Sequence, residues 1–222
     1  MTHSKPLVVI FLGKQGSGKG TQAELFGKKF GLDYVGSGDL LRERMRKNDF
    51  TGKKIKGIMK EGELNPTSVI FKLWLDKFEN FKKEEKLKGF IIDGSPRKIF
   101  EAYLIDDALG WYGWKKNLKV VLIDISRRVA IQRLLKRRMC KKCGKIIPYV
   151  GDFKKVKKCP DCQGELIKRM DDNLPAIKER LSWFRTDVQP VINFYKKTGR
   201  LIRINGEQSI ENVFKDILKV IK

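Results

Sequence analysis

An apolar run followed at once by a glycine-rich loop constrains the fold of this chain more than any other feature. Residues 7–12 read LVVIFL, a continuous apolar run typical of a strand buried on both faces of a sheet. The loop GKQGSGKGT follows at 13–21, and AELFGKKFG at 23–31 shows helical spacing with a closing glycine. Glycines let a backbone curl so that successive N–H groups point at one phosphate, and the helix that follows adds its positive end. The stretch therefore predicts a phosphate-binding loop between a strand and a helix.

The loop matches a known phosphate-binding pattern with one displacement. Gly13, Gly18 and Lys19 fit G-x-x-x-x-G-K-[ST], whereas the hydroxyl residue comes one position later, at Thr21. We expect Lys19 to place a positive charge at the outer phosphate oxygens of a nucleoside triphosphate. The triphosphate-binding residues predicted in the loop are Gly16, Ser17, Gly18, Lys19, Gly20 and Thr21.

Buried runs and helical patterns alternate along the rest of the chain. Apolar runs predict further strands at 89–94, 119–125 and 201–206. Helical spacing is present at 38–47, 51–61, 67–81, 98–110, 126–138, 173–197 and 208–221. Strands that alternate with helices indicate a parallel sheet with helices on both faces, an α/β fold of the P-loop NTPase type.

All four cysteines lie in one segment, which interrupts this alternation and looks like an insertion. Cys140, Cys143, Cys159 and Cys162 have the spacing C-x2-C-x15-C-x2-C, typical of a tetrahedral zinc site of four thiolates. Four thiolates leave no open coordination position, so we expect one structural Zn²⁺ ion. A segment this short has little core of its own, and the metal would supply its folding energy.

The composition narrows the classes of protein and partner. A formal net charge of +23 implies attraction to polyanions, although a solvated lysine-rich surface without a partner explains it equally well. The chain has no apolar run of membrane-spanning length, and its start lacks the layout of a signal peptide. We therefore expect a cytoplasmic protein that does not enter membranes, in which paired cysteines indicate metal rather than disulfides.

The basic cysteine segment raises the alternative of a zinc ribbon that binds nucleic acid. Tyr149 and Phe153 are its only aromatic residues, whereas proteins that bind single strands interleave several for base stacking. The segment also lies between two arginine-bearing stretches rather than forming a module of its own. We do not expect nucleic acid to be the main partner.

The order G-x-x-G-x-G-K-G-T at 13–21 resembles the nucleoside monophosphate kinases, above all the adenylate kinases. Further segments resemble the same family: GSGDLLRERM (36–45), EGELNP (61–66), GFIIDGSPR (89–97), RLLKRRM (133–139), KRMDDN (168–173) and KERL (178–181). The resemblance implies transfer of the terminal phosphoryl group of ATP to AMP, with Mg²⁺ as cofactor and two ADP as products. The acceptor phosphate oxygen is already anionic, so no general base is needed, and the single histidine, His3, lies near an end.

The resemblance also implies roles for individual residues. The catalytic residues would be Lys19, Arg97, Arg133, Arg169 and Arg180. Arg133 and Arg137 would also contact ATP, and Asp93 would hold Mg²⁺ through water. Asp171 follows Arg169 just after the cysteine segment. The AMP-binding residues would be Ser37, Arg42, Glu63, Leu64, Asn65, Gly94, Arg97 and Glu101.

Three units follow from the resemblance. The core with the phosphate loop would comprise residues 1–35, 67–138 and 170–222, and a helical segment at 36–66 would bind the nucleoside monophosphate. Residues 139–169 would form a zinc-binding lid over ATP, similar to the lid of some bacterial adenylate kinases. We expect a monomer whose partners are ATP, AMP and ADP.

Three positions depart from the adenylate kinase pattern on the acceptor side. Glu101 stands where the family has a glutamine that reads adenine, Ser95 replaces a phenylalanine, and Ser37 replaces a threonine. An ionised glutamate only accepts hydrogen bonds, so it suits the N6–H of adenine but not the lone pair on N1. Two interpretations remain open: a different or relaxed acceptor base (GMP, CMP or UMP), or a Glu101 side chain that points to solvent while the backbone reads adenine.

Overall fold

The computed structural model describes residues 6–61, 63–169 and 172–221. Its strands are β1 (Leu7–Leu12), β2 (Asp33–Gly36), β3 (Gly89–Asp93), β4 (Leu118–Asp124), β5 (Arg138–Cys140), β6 (Ile146–Ile147), β7 (Leu166–Ile167) and β8 (Leu201–Asn205). Its α-helices are α1 (Lys19–Phe30), α2 (Ser37–Met45), α3 (Phe50–Glu61), α4 (Thr67–Lys82), α5 (Ile99–Trp111), α6 (Arg127–Lys136), α7 (Leu174–Trp183), α8 (Gln189–Lys197) and α9 (Ile210–Val220).

The main sheet has the strand order β2-β3-β1-β4-β8, and every pairing in it is parallel. The central strand β1 is buried on both sides, because its successive side chains point to opposite faces of the sheet. Val8 and Ile10 pack with α4, α5 and α8, whereas Val9 and Phe11 pack with α1 and α9. The α/β fold expected from the alternating apolar runs is confirmed.

The short strand β2 is absent from the sequence prediction. Of its four residues, DYVG, Val35 is buried in the apolar core and Tyr34 packs against it, so the strand carries no apolar run to recognise. The strand exists because it pairs with β3, a partner more than fifty residues away in the sequence. Its pairing matters for function, since it brings Tyr34 and Ser37 close to the end of β3.

The single helix predicted over 173–197 is wrong in one respect, because one turn of π-helix at Phe184–Val188 separates α7 from α8. Pro190, in the first turn of α8, has no N–H to donate to the preceding turn, and the ladder of hydrogen bonds widens there. The helix predicted over 126–138 also ends early, at Lys136, since Arg137 is extended and leads into β5.

The cysteine segment forms a small antiparallel sheet of its own, with the order β6-β5-β7. It stands between α6 and α7, which pack against each other through Ala130, Leu134 and Ile177. Within the described residues, no helix combines the length and the apolar character needed to cross a membrane.

Candidate active site

The phosphate loop occupies the carboxyl end of β1, where ligands of open α/β sheets bind. Gly18 has left-handed backbone angles (φ 91°) and caps α1, which begins at Lys19. Gly13 could not be replaced, because a Cβ there would lie 2.6 Å from both the Ile123 carbonyl oxygen and Ser17 Oγ. The loop therefore presents the first turn of a helix and its N–H groups to a ligand, which suits an anion.

Two adjoining cavities open from this loop. The first, of about 450 Å³, is lined by the loop residues Gly16 to Thr21, by Arg133 and Arg137, and by the stretch Cys143 to Val150 of the cysteine segment. The second, of about 390 Å³, is lined on its far side by residues 36–70. Lys19 and Asp93 line both cavities, so two ligands bound side by side would meet at these two side chains.

The nucleotide-site residues predicted from the sequence all line one of these cavities, whereas Cys143 is the only one of the four cysteines that lines either of them. The second cavity takes the residues assigned to AMP and part of the catalytic set: Ser37, Arg42, Glu63, Leu64, Asn65, Gly94, Arg97, Glu101, Arg169 and Arg180. Asp171 lies outside the described residues.

Lys19 lies among positive charges at the junction of the cavities. Burial lowers the pKa of its ammonium group below the ordinary value, Asp93 opposes this effect, and Arg97, Arg137 and Arg180 lower the pKa further. Cations collected in this way repel one another, and an anionic ligand relieves that repulsion. The arrangement favours ligands with several negative charges.

Arg133 on α6 lies directly beneath the loop. Its Nη2 donates to the Gly206 carbonyl at 2.9 Å, and its Nη1 donates more weakly to the Gly16 and Ser17 carbonyls, both at 3.4 Å. Burial lowers the pKa of Arg133, although the guanidinium stays charged. This arginine holds the loop against the sheet and adds charge to the first cavity.

Asp172 is a residue that the sequence analysis missed. Its carboxylate is fully buried, and its Oδ1 accepts hydrogen bonds from Arg137 Nη2 at 2.8 Å and from Arg180 Nη2 at 2.9 Å. Arg137 Nε donates to the second oxygen, Oδ2. One carboxylate therefore fixes two guanidinium groups that line the second cavity, and charge-assisted pairs of this kind carry strong geometric preference.

Glu101 corrects one interpretation made from the sequence. Its residue is only 4% exposed, so the side chain does not point to solvent. Glu101 Oε2 accepts a hydrogen bond from the Arg97 backbone N–H at 2.8 Å. The second oxygen, Oε1, is buried and accepts no hydrogen bond from the described residues, and Glu101 lines the second cavity. Glu101 thus keeps one carboxylate oxygen without a partner among the described residues at the wall of that cavity.

The serines that depart from the family pattern contact each other beside Glu101. Ser37 Oγ and Ser95 Oγ lie 2.5 Å apart, and Ser37 Oγ also donates to the Asp93 carbonyl at 3.3 Å. Arg97 Nε donates to the Gly94 carbonyl at 2.8 Å, while Arg42 pairs with Asp39 at 2.5 Å. The two replacements therefore act together, since each hydroxyl is the partner of the other.

The four cysteines form a compact cluster in the small sheet. Their Sγ atoms all lie within 4.8 Å of one another, with Cys140 to Cys162 at 3.4 Å and Cys143 to Cys159 at 3.6 Å. Sulfurs about 2.3 Å from a tetrahedral zinc lie about 3.8 Å apart, so the cluster fits such an ion. Gly164 allows this packing, because a Cβ there would lie 2.8 Å from Cys140 Sγ. The cluster could bind a metal ion.

Known proteins resemble this chain over nearly its whole length. The family model described as Adenylate kinase matches residues 11–200. The adenylate kinase of Thermotoga neapolitana is 37% identical over 215 residues, which cover 96% of each chain. That of Methanothrix thermoacetophila is 38% identical over 215 residues, covering 96% of this chain and 97% of the relative. The adenylate kinase of Thermosipho melanesiensis is 34% identical over 219 residues, which cover 96% of this chain and 99% of the relative.

The match and the two cavities beside the phosphate loop agree, and they lead to one assignment: this chain belongs to the adenylate kinase family.

Proposed function

We propose that the protein transfers the terminal phosphoryl group of ATP to AMP and releases two ADP. The observation that carries this proposal is the meeting of two cavities at Lys19 and Asp93. ATP occupies the cavity beside the loop and AMP occupies the second, so that the two phosphate chains approach each other where the cations converge. Formation of ADP from ATP and AMP by the purified protein tests the proposal.

Positioning and charge cancellation accomplish the transfer, because the acceptor oxygen of AMP is already anionic. The transferred group spreads negative charge over its three equatorial oxygens. Lys19 and Arg133 act on the donor phosphates, and Arg97 holds the acceptor phosphate. Arg169 and Arg180 stabilise the phosphoryl group during its transfer. Asp172 holds Arg180 and Arg137 in place through hydrogen bonds. Planar guanidinium groups suit this work, since they bind phosphate oxygens in pairs and stay charged.

Asp93 is the carboxylate that suits magnesium at this site. Its Oδ1 accepts no hydrogen bond from the described residues, and a carboxylate oxygen is the type of ligand that Mg²⁺ prefers, often through water. When bound with ATP, Mg²⁺ would supply positive charge that neutralises the donor phosphates. Asp93 would hold the ion's water at the junction of the cavities.

The cysteine segment acts as the lid, and one structural Zn²⁺ held by Cys140, Cys143, Cys159 and Cys162 keeps it folded. Residues 139–169 form this lid, residues 36–66 bind the monophosphate, and the remaining segments form the core. Because residues 143–150 face the phosphate loop across the first cavity, the lid excludes water from ATP. We expect the protein to act as a cytoplasmic monomer.

A kinase with a relaxed acceptor base is the second candidate, and Glu101 is the observation that favours it. Glu101 lines the monophosphate cavity, and its buried Oε1 has no protein partner among the described residues and can only accept hydrogen bonds. The N1–H and N2–H₂ groups of guanine suit such an acceptor, whereas the N1 lone pair of adenine repels it. We therefore expect weaker discrimination against GMP than an amide at this position would give.

Replacing Glu101 with Gln tests this expectation, since amide and carboxylate are nearly equal in size. If Glu101 faces the base, the amide adds a donor to N1 of adenine and removes the repulsion. A hydrogen bond contributes roughly 0.5–1.5 kcal/mol and an unmade buried one costs about 1–3 kcal/mol. We expect kcat/KM for AMP to rise by about 3- to 100-fold and any GMP activity to fall.

The control is Asp107→Asn, which converts an exposed carboxylate on the same helix to an amide and leaves both constants unchanged. An AMP constant for Glu101→Gln within twofold of the wild type, in a protein that ignores GMP, shows that Glu101 does not read the base. The backbone of residues 63–66 then becomes the better candidate.

A further inference from the structure

Asp93 has a second partner, one that comes from the edge strand of the sheet. The Tyr34 hydroxyl donates a hydrogen bond to Asp93 Oδ2 at 2.7 Å, across 59 residues of sequence. Tyr34 lines both cavities together with Asp93. Neither the phosphate loop nor the arginines account for this contact.

The register of the sheet explains how the phenol reaches the carboxylate. Strand β2 pairs with β3 so that Tyr34 lies opposite Ile91 and Gly36 lies opposite Asp93. Tyr34 must therefore extend along its own strand by two residues, about 6.6 Å, to reach the level of Asp93. The ring passes close to Gly36, since a Cβ at that position would lie in ordinary van der Waals contact with Tyr34 Cε1, at 3.6 Å. A side chain as long as that of tyrosine is what this contact requires.

The two oxygens of Asp93 have different surroundings. Oδ2 receives the Tyr34 hydroxyl and faces the start of α1, since a Cβ on Gly20 would lie 3.4 Å from it. Oδ1 is buried and accepts no hydrogen bond from the part of the chain that the structure describes. Burial raises the pKa of the Tyr34 phenol, and Asp93 raises it further, so the hydroxyl stays a donor at neutral pH. The contact fixes the rotation of the carboxylate about its last bond.

We propose that Tyr34 is the positioning residue for Asp93, holding its carboxylate in the orientation in which it meets the water shell of magnesium bound with ATP. The inference rests on the proposed function, which brings Mg²⁺ and ATP to this cavity. Partners behind the groups that hold a metal orient those groups, and their loss typically weakens metal binding or activity by about 10- to 100-fold. Tyr34 acts through Asp93 and does not itself contact the reacting phosphates.

Tyr34→Phe separates this role from simple packing, because the ring also contacts the apolar core beside α1. The variant keeps the ring and removes only the hydroxyl. We expect the magnesium concentration that half-saturates the enhancement of ATP binding to rise about 10-fold, measured by calorimetry without AMP. ATP affinity without added magnesium stays within twofold of the wild type, and the melting temperature of the ligand-free protein changes by a few degrees at most.

Two further variants complete the experiment. Tyr103→Phe removes a hydroxyl from an exposed tyrosine on α5 and leaves the magnesium requirement, the ATP affinity and the melting temperature unchanged. Asp93→Asn weakens the magnesium effect by itself, and adding Tyr34→Phe to it has no further effect, since the hydroxyl acts only through the carboxylate.

The possible outcomes distinguish the role of Tyr34 from the proposed phosphoryl transfer on which it rests. A wild type with magnesium-dependent ATP binding and a Tyr34→Phe variant with the same magnesium requirement overturns the role of Tyr34 alone. A variant that loses ATP affinity equally with and without magnesium, or that melts far below the wild type, also overturns it, because the residue is then structural. A wild type that does not bind ATP at all overturns the proposed function and this inference with it.

Discussion

Replacing Lys19 with Met lowers the rate of phosphoryl transfer by on the order of 10²-fold or more, as expected when one preorganised charge contact to the transition state is lost. Lys19 lies where the two cavities meet, and no other lysine lines both of them among the described residues. Burial and the neighbouring arginines already lower the pKa of this ammonium group, which means that its positive charge destabilises the folded protein. We therefore expect the melting temperature of the variant to equal or exceed that of the wild type.

Lys28→Met is the matched control, because Lys28 lies on the exposed side of the same helix. Initial rates of ADP formation and calorimetric melting curves of the three proteins give the comparison. A Lys19→Met protein with nearly full activity contradicts the assignment of the loop as the site of the donor phosphates.

We expect removal of the proposed zinc ion to unfold residues 139–169 and to leave the parallel sheet intact. Strands β5 to β7 have two or three residues each, so the small sheet has little apolar core to hold it. Apparent binding energies of structural zinc in zinc-finger peptides are about 10–16 kcal/mol, and such domains are unfolded without the ion. Metal analysis should find about one zinc per chain. Protein that has been stripped by a strong chelator, freed of the chelator and returned to Mg²⁺ should have lost most of its activity, because ATP is then left open to water.

Hydrogen exchange locates the effect, with amides of 139–169 losing protection while those of β1 and β4 keep it. Cys159→Ser should behave like the chelated protein, and Lys157→Ser, an exposed change in the same segment, should not. If the purified protein carries no metal, and chelator treatment followed by return to Mg²⁺ changes neither activity nor melting, the four cysteines do not form a structural metal site.

The parts of the site that follow from contiguous residues were predicted from the sequence. The apolar run at 7–12 and the glycine spacing at 13–21 are local signals, and the structure places the loop between β1 and α1. The cysteine spacing is local in the same sense, because each pair is separated by two residues. In such stretches, neighbouring residues determine both the backbone conformation and the functional groups of the site.

The parts of the site that depend on contacts between distant residues were not predicted from the sequence. Asp172 gains its role only when α6 and α7 bring Arg137 and Arg180 to it, and nothing in its own neighbourhood of sequence indicates this. Tyr34 reaches Asp93 only because β2 joins the sheet beside β3. Glu101 could not be oriented from periodicity, since α5 is apolar on nearly all sides and buries Glu101 and Asp106 as well as its apolar residues.

Phosphorus NMR of the purified protein with ATP, AMP and Mg²⁺ tests the central claim most directly. We predict that one ATP and one AMP disappear for every two ADP formed, that Mg²⁺ is required, and that AMP is the fastest acceptor in a panel with GMP, CMP, UMP and dAMP. ATP loss that proceeds equally well without a monophosphate, with release of inorganic phosphate, would contradict it, as would the absence of any ADP.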